Sequence, residues 1–345
     1  MKREQRRYTR LAEALAGARR ALILLHDHPD PDALAGGLLL RRILRRGLRV
    51  AADIGYGGRI GRAENQAMVR ELRIPLIHRA QLRGERYDAL ALVDTQPGSG
   101  NHSLPEGLRP EIVFDHHPLR RSTREAVFSD VRPGFGAVST ILFEYLQPAG
   151  LAPDRRLATA VFHAIRSETQ NLGREGTPAD ARVFTTLFPL VDNRRLARIE
   201  QAPVSPGYLG SLSVALRTTR LFGEVAVARL GRVPYPDAPA QLADFLLRVE
   251  GVEWVLACGM HQRRLYLSLR AERHGAQAGR VLRRIVGDRG RAGGHGSMAG
   301  GRIDLDRAAS AATEEARLER RAREILGVAH SRPRPLMPGR ACPPR

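Results

Sequence analysis

Three short apolar runs, far apart in the chain, each end in side chains of the kind that bind metal ions. Residues 21–25 lead into His26-Asp27-His28-Pro29-Asp30-Pro31-Asp32, residues 89–93 stop at Asp94, and residues 111–114 stop at Asp115-His116-His117. Brief apolar runs bounded by turn residues are buried strands. Residues 48–54 add another strand, and helical patterning covers residues 8–20, 33–45, 65–72, 137–146 and 156–166. Strands alternating with helices predict a parallel α/β sheet. The strand ends of such a sheet converge on one edge, where ligands bind. Residues distant in sequence would therefore share one crevice.

Crowded carboxylates repel one another and raise each other's pKa unless cations neutralise them. A mixed imidazole and carboxylate set favours a transition metal over magnesium or calcium, and manganese suits an oxygen-rich version of it. There are more candidate ligands than one ion needs, which points to a two-metal site. Each residue alone has a structural alternative. Asp30 and Asp32 could cap the helix that follows, Asp94 could serve a turn, His26 could be a hydrogen-bonded loop histidine, and the histidine pair beside Pro118 could be a polar loop. Their joint occurrence at three strand ends favours metal binding.

The texture changes near residue 203. A strand over 222–230, a helix over 238–249, paired strands over 252–258 and 264–270, and a helix over 276–286 precede a glycine-rich loop over 287–301. This predicts a smaller α+β domain. The expected division is a catalytic domain over 1–190, a linker over 191–210, a second domain over 211–328 and a disordered Pro- and Arg-rich tail over 329–345. In the glycine-rich loop, backbone N–H groups could approach an anion closely.

The chain of 345 residues carries 56 basic against 36 acidic side chains, a formal charge of +20. Lys2 is the lone lysine. Arginine forks match phosphate bidentately, and such a balance suits polyanionic partners; a solvated basic surface is the competing reading. Two cysteines are too few for a disulfide framework or a thiolate zinc site, and a reducing cytoplasm is the simplest compartment. No run reaches the roughly 18 apolar residues of a membrane-spanning helix, and no signal-type run follows the basic start.

His26-x-x-x-Asp30-x-Asp32, then Asp94, then Asp115-His116-His117 resembles the DHH phosphoesterase superfamily. Ser268-Leu269-Arg270 and Gly293-Gly294-His295-Gly296-Ser297-Met298-Ala299-Gly300-Gly301 resemble its DHHA1 C-terminal domain. The match covers about residues 20–305, and the similarity is greatest to the compact branch of oligoribonucleases (nanoRNases) that also dephosphorylate 3′-phosphoadenosine 5′-phosphate. The resemblance implies a parallel-sheet DHH domain and a DHHA1 domain separated by a cleft. It implies two Mn²⁺ ions, with His26 and Asp30 on one, Asp32 and His116 on the other, and Asp94 bridging them. Asp115 would orient the adjacent histidines, and His117 would face the substrate and donate a proton to the leaving group. The family's fourth motif carries an aspartate where this chain has Glu168, in Ser167-Glu168-Thr169, so Glu168 is the expected further ligand and the departure that puts rate and metal affinity in question. Arg270, Gly293, Gly294, His295 and, more weakly, Arg302 would bind substrate phosphate. Expected partners are short RNA or DNA oligonucleotides or nucleotides, with a homodimer as the quaternary state that related compact enzymes often adopt. A cyclic dinucleotide phosphodiesterase and a catalytically weak nucleic-acid-binding protein are the alternative functions.

Overall fold

The structure, a computed structural model, describes residues 3–83, 86–104, 109–273, 275–305 and 311–337, except the side chain of His295. It divides into two units, Met1–Ala202 and Pro203–Arg345. The break falls within the span expected for the linker, yet that span is largely helical.

The first unit is built on six parallel strands. They are β1 (Arg20–Leu25), β2 (Ala51–Tyr56), β3 (Leu76–His78), β4 (Ala89–Val93), β5 (Ile112–Asp115) and β6 (Phe128–Val131), in the order β3-β2-β1-β4-β5-β6. The chain first builds outward on one side of β1 and then returns to build on the other, so the order reverses between β1 and β4. At that point the crossovers splay apart above the carboxyl ends of the strands and leave room for a ligand. The helices are α1 (Arg3–Ala14), α2 (Pro31–Arg42), α3 (Ala63–Glu71), α4 (Val138–Phe143), α5 (Arg155–Glu168), α6 (Pro178–Leu187) and α7 (Asn193–Glu200). Strands β1 and β4 are buried along nearly their whole length, as expected for a parallel sheet covered on both faces. Helix α2 lies close against the sheet: a Cβ at Gly36 would come within 2.8 Å of Val93 Cγ1. This contact fixes the start of α2, with Asp30 and Asp32, over the end of β4.

The second unit holds a seven-stranded mixed sheet. Its strands are β7 (Arg220–Phe222), β8 (Val225–Arg232), β9 (Trp254–His261), β10 (Arg264–Ala271), β11 (Arg291–His295), β12 (Met298–Asp304) and β13 (Arg334–Pro335), in the order β11-β12-β10-β9-β8-β7-β13. Helices α8 (Pro206–Thr218), α9 (Ala238–Leu246), α10 (Ala278–Val286) and α11 (Ala311–Ile325) cover it.

Several elements depart from the sequence expectation. The first helix lies earlier than residues 8–20, because the chain turns at Gly17 (φ +84) to enter β1. The strand expected over 222–230 is a hairpin: Gly223 at φ +59 reverses the chain between β7 and β8. The glycine-rich loop over 287–301 is mostly the hairpin β11–β12, with Gly293 opposite Gly300 and Gly294 opposite Ala299. Pairing along the edge of β10 outweighs the low strand preference of glycine, and it engages much of the backbone that the loop reading left exposed. In the tail expected to be disordered, Arg334 and Pro335 pair with Leu221 and Arg220; residues 338–345 lie outside the described part.

Close approach explains one small residue in the second unit. A Cβ at Gly279 would lie 2.1 Å from the Gly294 carbonyl oxygen, whereas a Cβ at Gly293 would meet open space. Gly279→Ala is therefore expected to destabilise the protein by about 1–3 kcal/mol, and Gly293→Ala by less than about 1 kcal/mol. Thermal unfolding of the two variants checks the contrast; equal losses would contradict it.

Candidate metal centre

The three strand-end motifs meet above the carboxyl edge of β1, β4 and β5. His26 Nε2 lies 3.6 Å from Asp30 Oδ2 and 3.6 Å from Asp94 Oδ2. His116 Nε2 lies 3.5 Å from Asp94 Oδ1 and 3.9 Å from Asp32 Oδ2. His117 Nδ1 lies 3.7 Å from Asp94 Oδ1. Two groups emerge, His26 with Asp30 and Asp94, and Asp94 with His116 and His117, each with its donor atoms within 4.8 Å of one another. Asp94 belongs to both, one carboxylate oxygen facing each group.

Local structure aims each side chain. Asp94 follows the last residue of β4 and takes a left-handed backbone, φ +59, a conformation aspartate adopts more readily than most residues. The alternatives raised from sequence hold together with the site rather than against it. Asp30 Oδ1 caps α2, accepting from the Asp32 and Ala33 N–H groups at 3.0 Å each, while Oδ2 faces His26. Asp32 is fully buried and is held by the N–H groups of Val138 (2.6 Å) and Ser139 (3.0 Å) and by the Ser139 hydroxyl.

The histidines are oriented through their other ring nitrogen. His26 Nδ1 sits 2.9 Å from the Asp27 carbonyl oxygen, and His116 Nδ1 sits 3.1 Å from that of Phe135. A carbonyl accepts but cannot donate, so Nδ1 carries a proton and Nε2 is the nitrogen that faces the carboxylates. Metal-ligating histidines are commonly fixed in this way. His117 differs: its Nδ1 is 2.8 Å from Asp115 Oδ1. Asp115 also accepts from the His116 N–H (2.8 Å) and the His117 N–H (3.2 Å), and Gln96 Nε2 donates to its other oxygen at 2.6 Å. Asp115 is therefore used in organising the two histidines.

The sequence does not single out Gln96. It is buried, and its carbonyl oxygen accepts from the Arg120 N–H and the Thr123 hydroxyl at 2.8 Å each. It ties the loop after β5 to the loop after β4. Its position two residues after Asp94 was the available signal, but an amide's role depends on partners that lie 19 to 27 residues away in the chain. Ser139 holds Asp32, whereas Thr140 donates to Asp180 behind the site.

The electrostatics are those of a candidate cation site. Burial and the Asp94 carboxylate raise Asp32 well above the usual range. Burial, with the neighbouring Asp30 and Asp94, raises Glu168, the last residue of α5, to about 7. Burial disfavours charged His26 and His117, but carboxylates outweigh it: Asp30 and Asp94 raise His26 well above its usual value, and Asp115 with Asp94 raises His117 to about 10. Asp94 Oδ1 is buried and has no hydrogen-bond partner among the described residues. An unpaired buried oxygen, mutually repelling carboxylates and imidazole nitrogens aimed at them fit divalent cations. Glu168 is thus close enough to feel the charges of Asp30 and Asp94.

The expected phosphate-binding residues lie in the second unit. Arg270 is the penultimate residue of β10, largely buried, with Nε 2.6 Å from Asp244 Oδ1 and Nη1 2.8 Å from Ser268 Oγ. Met298 stands between Arg270 and His295 in the sheet register. The next row on that face is Ser268, Gly300 and Gly293, and the one after is Tyr266, Arg302 and Arg291. Cβ atoms at Gly293 and Gly300 would meet nothing closer than 4.0 Å, so this row is a bare strip of backbone beside Arg302 and Arg291. Gly294 faces the other way and packs tightly against Met298 and Ala299. The side chain of His295 lies outside the described residues.

Fold and site together define a two-unit α/β protein with a carboxylate–imidazole cluster at the strand-order reversal of its parallel sheet. No family model matches the chain. Among solved structures, an exopolyphosphatase-related protein from Bacteroides fragilis superposes with a TM-score of 0.72 at 12% identity, over 94% of this chain and 98% of that one. RecJ from Thermus thermophilus, in complex with Mn²⁺, superposes with a TM-score of 0.50 at 18% identity, over 93% of this chain and 55% of RecJ. These likenesses show that the chain shares the fold of those two proteins. In sequence it is 34% identical over 286 residues to an uncharacterized protein of Methanocaldococcus jannaschii, a match spanning 82% of this chain and 58% of that relative. No helix among the described residues is long and apolar enough to cross a membrane.

Metal removal has a signed consequence for stability. Glu168 is raised from 4.5 to about 7, so the folded state holds a proton that the unfolded state releases, and stability falls as pH rises through that window. His117, raised from 6.5 to about 10, adds a fall in the same direction at higher pH. Asp30 and Asp115 are lowered and act oppositely, but only on acidification below the ordinary carboxylate range. In EDTA, the melting temperature should fall from about pH 5 to about pH 8; saturating Mn²⁺ should raise it most at the higher pH. Scanning calorimetry checks this, and an EDTA profile that rises over the same interval would contradict it.

Proposed function

We propose that the chain is a divalent-metal-dependent phosphoesterase that hydrolyses short oligonucleotides, 3′-phosphoadenosine 5′-phosphate, or both. The observation that carries this reading is Asp94: one carboxylate shared by two imidazole-containing groups. His26 and Asp30 would hold one ion, Asp32 and His116 a second, with Asp94 between them and Glu168 as a further ligand. Mn²⁺ is the preferred cation because the donor set is oxygen-rich with two imidazoles, and RecJ, which shares the fold, is seen with Mn²⁺. Such ions supply charge neutralisation at a phosphoryl group and a more acidic water near neutral pH.

The chain's own residues supply the rest. Asp115 fixes the His117 ring through Nδ1 and favours its protonated form, since a raised pKa keeps the imidazolium populated at neutral pH. His117 would then donate a proton to the departing oxygen, in the manner of a general acid. Gln96 holds Asp115 in that geometry. In the second unit, the glycine strip with Arg302 would seat a further part of the substrate, because bare backbone allows close approach of an anion and arginine grips phosphate. Arg270, already engaged by Asp244 and Ser268, would contribute through its fixed guanidinium. Among the described residues no aromatic stripe accompanies this strip, so phosphate and sugar contacts would dominate over base stacking.

The test is turnover of labelled dinucleotides, 3′-phosphoadenosine 5′-phosphate and a cyclic dinucleotide with Mn²⁺. Release of mononucleotide or AMP is expected, and turnover of none of them under any divalent metal would sink the reading. Asp94→Ala should abolish activity with the fold intact. His117→Ala should lower kcat by about 10²–10⁴-fold, the usual contribution of a positioned acid. Glu168→Asp probes the departure from the family pattern. A sharp gain in rate would mark the native site as compromised, and a loss would mean that Glu168 is adapted to its own metal geometry.

A further inference from the structure

At the opposite end of α2 from the metal centre lies a second concave site. It has a volume of about 480 Å³ and is lined by Arg41, Arg42, Arg45, Arg46, Arg49 and Arg156, with Leu38 and Leu157 and a single carboxylate, Asp154. Helix α2 has 12 residues, about 18 Å at 1.5 Å per residue, so the two sites are separate. Part of this cationic cluster has a structural use. Arg41 Nε donates to the Ala52 carbonyl (2.9 Å), Arg42 pairs with Asp154 (2.5 Å) and donates to the Ala152 carbonyl (2.9 Å), and Arg156 donates to the Arg73 carbonyl (2.8 Å). Arg41 and Arg42 also suit the negative end of α2.

That account leaves an excess. Arg45, Arg46 and Arg49 make no hydrogen bond or ion pair with another described residue, and the buried Nε atoms of Arg42 and Arg156 have no partner among the described residues. The three arginines sit on or just beyond a π-helical turn, Ile43–Gly47, which interrupts the regular end of α2. Such turns are uncommon and often mark functional positions. Arg49 adopts φ +61, a left-handed backbone unusual for a long side chain. Burial and Arg45 hold Arg41 below the usual arginine range, and burial lowers Arg156 as well. Six guanidiniums around one carboxylate repel one another unless anions sit among them.

We propose that this arginine pocket is a second binding site, distinct from the metal centre, for a small molecule bearing adjacent phosphate groups. The forks of Arg45, Arg46 and Arg49 supply donors of the right geometry for phosphate oxygens. No aromatic side chain lines the pocket, so recognition rests mainly on the phosphates. The volume lies within the range of small-molecule sites rather than that of an extended nucleic-acid track.

The test is calorimetric titration of metal-free, full-length protein with inorganic tripolyphosphate, with a nucleoside triphosphate, and with a single-stranded oligonucleotide. Tripolyphosphate should bind, more weakly as salt rises, and the nucleoside triphosphate should bind with similar affinity. The double variant Arg45→Gln/Arg49→Gln alters exposed side chains; it should weaken tripolyphosphate about tenfold or more, the scale of losing charge-assisted hydrogen bonds, whereas Asp94→Ala should leave that binding unchanged. Three results would each overturn the proposal: no binding of tripolyphosphate, binding that survives the double variant, or an oligonucleotide that binds more tightly than tripolyphosphate and depends on the same arginines. Because the titration is made without metal and without turnover, its outcome is independent of the phosphoesterase reading.

Discussion

The carboxylate of Asp94 lies 3.5 Å from one imidazole and 3.6 Å from another, each carried by a different strand end. Much of the first unit can be understood as the means of holding it there. The strand order reverses between β1 and β4, so the loops after those strands diverge and leave Asp94 flanked by an imidazole on each carboxylate oxygen. Its left-handed backbone turns the carboxylate out of the strand direction. Gly36 lets α2 settle onto Val93, and α2 in turn carries Asp30 and Asp32. A bare cluster of this kind is costly, since Asp32 and Glu168 are pushed toward their neutral forms by burial and by one another's neighbours. A protein keeps such an arrangement where cations relieve it.

Around the cluster, a set of hydrogen bonds fixes orientation, from neutral carbonyls and an amide and from the Asp115 carboxylate. Backbone carbonyls of Asp27 and Phe135 set the tautomers of His26 and His116. Gln96 and Asp115 form a rigid link between two loops and the His117 ring. These partners decide which atom of each imidazole faces inward, so they govern the chemistry as much as the carboxylates do.

The strand ends and their acidic and imidazole residues were legible in the sequence because burial of a parallel strand demands a continuous apolar run, and its termination is abrupt. Ala89–Val93 shows this most clearly. The three- and four-residue strands β3 and β6 were not, as they are too short to show a period. The glycine-rich hairpin was read as a loop because glycine has little strand preference of its own; only the adjacent edge of β10 makes it a strand. Gln96 and Ser139 escaped for another reason. Their roles depend on partners brought close by the fold, as with Ser139 and Asp32, which are 107 residues apart. Asp30 shows that alternatives drawn from sequence need not compete, since its two oxygens serve the helix cap and the cluster at once.

Electron paramagnetic resonance of the Mn²⁺-loaded protein tests the shared carboxylate most directly. Two ions joined by Asp94 should give an exchange-coupled spectrum, and Asp94→Asn should replace it with the six-line pattern of isolated ions or with weaker loading. A wild-type spectrum of isolated Mn²⁺ at every loading would contradict the account.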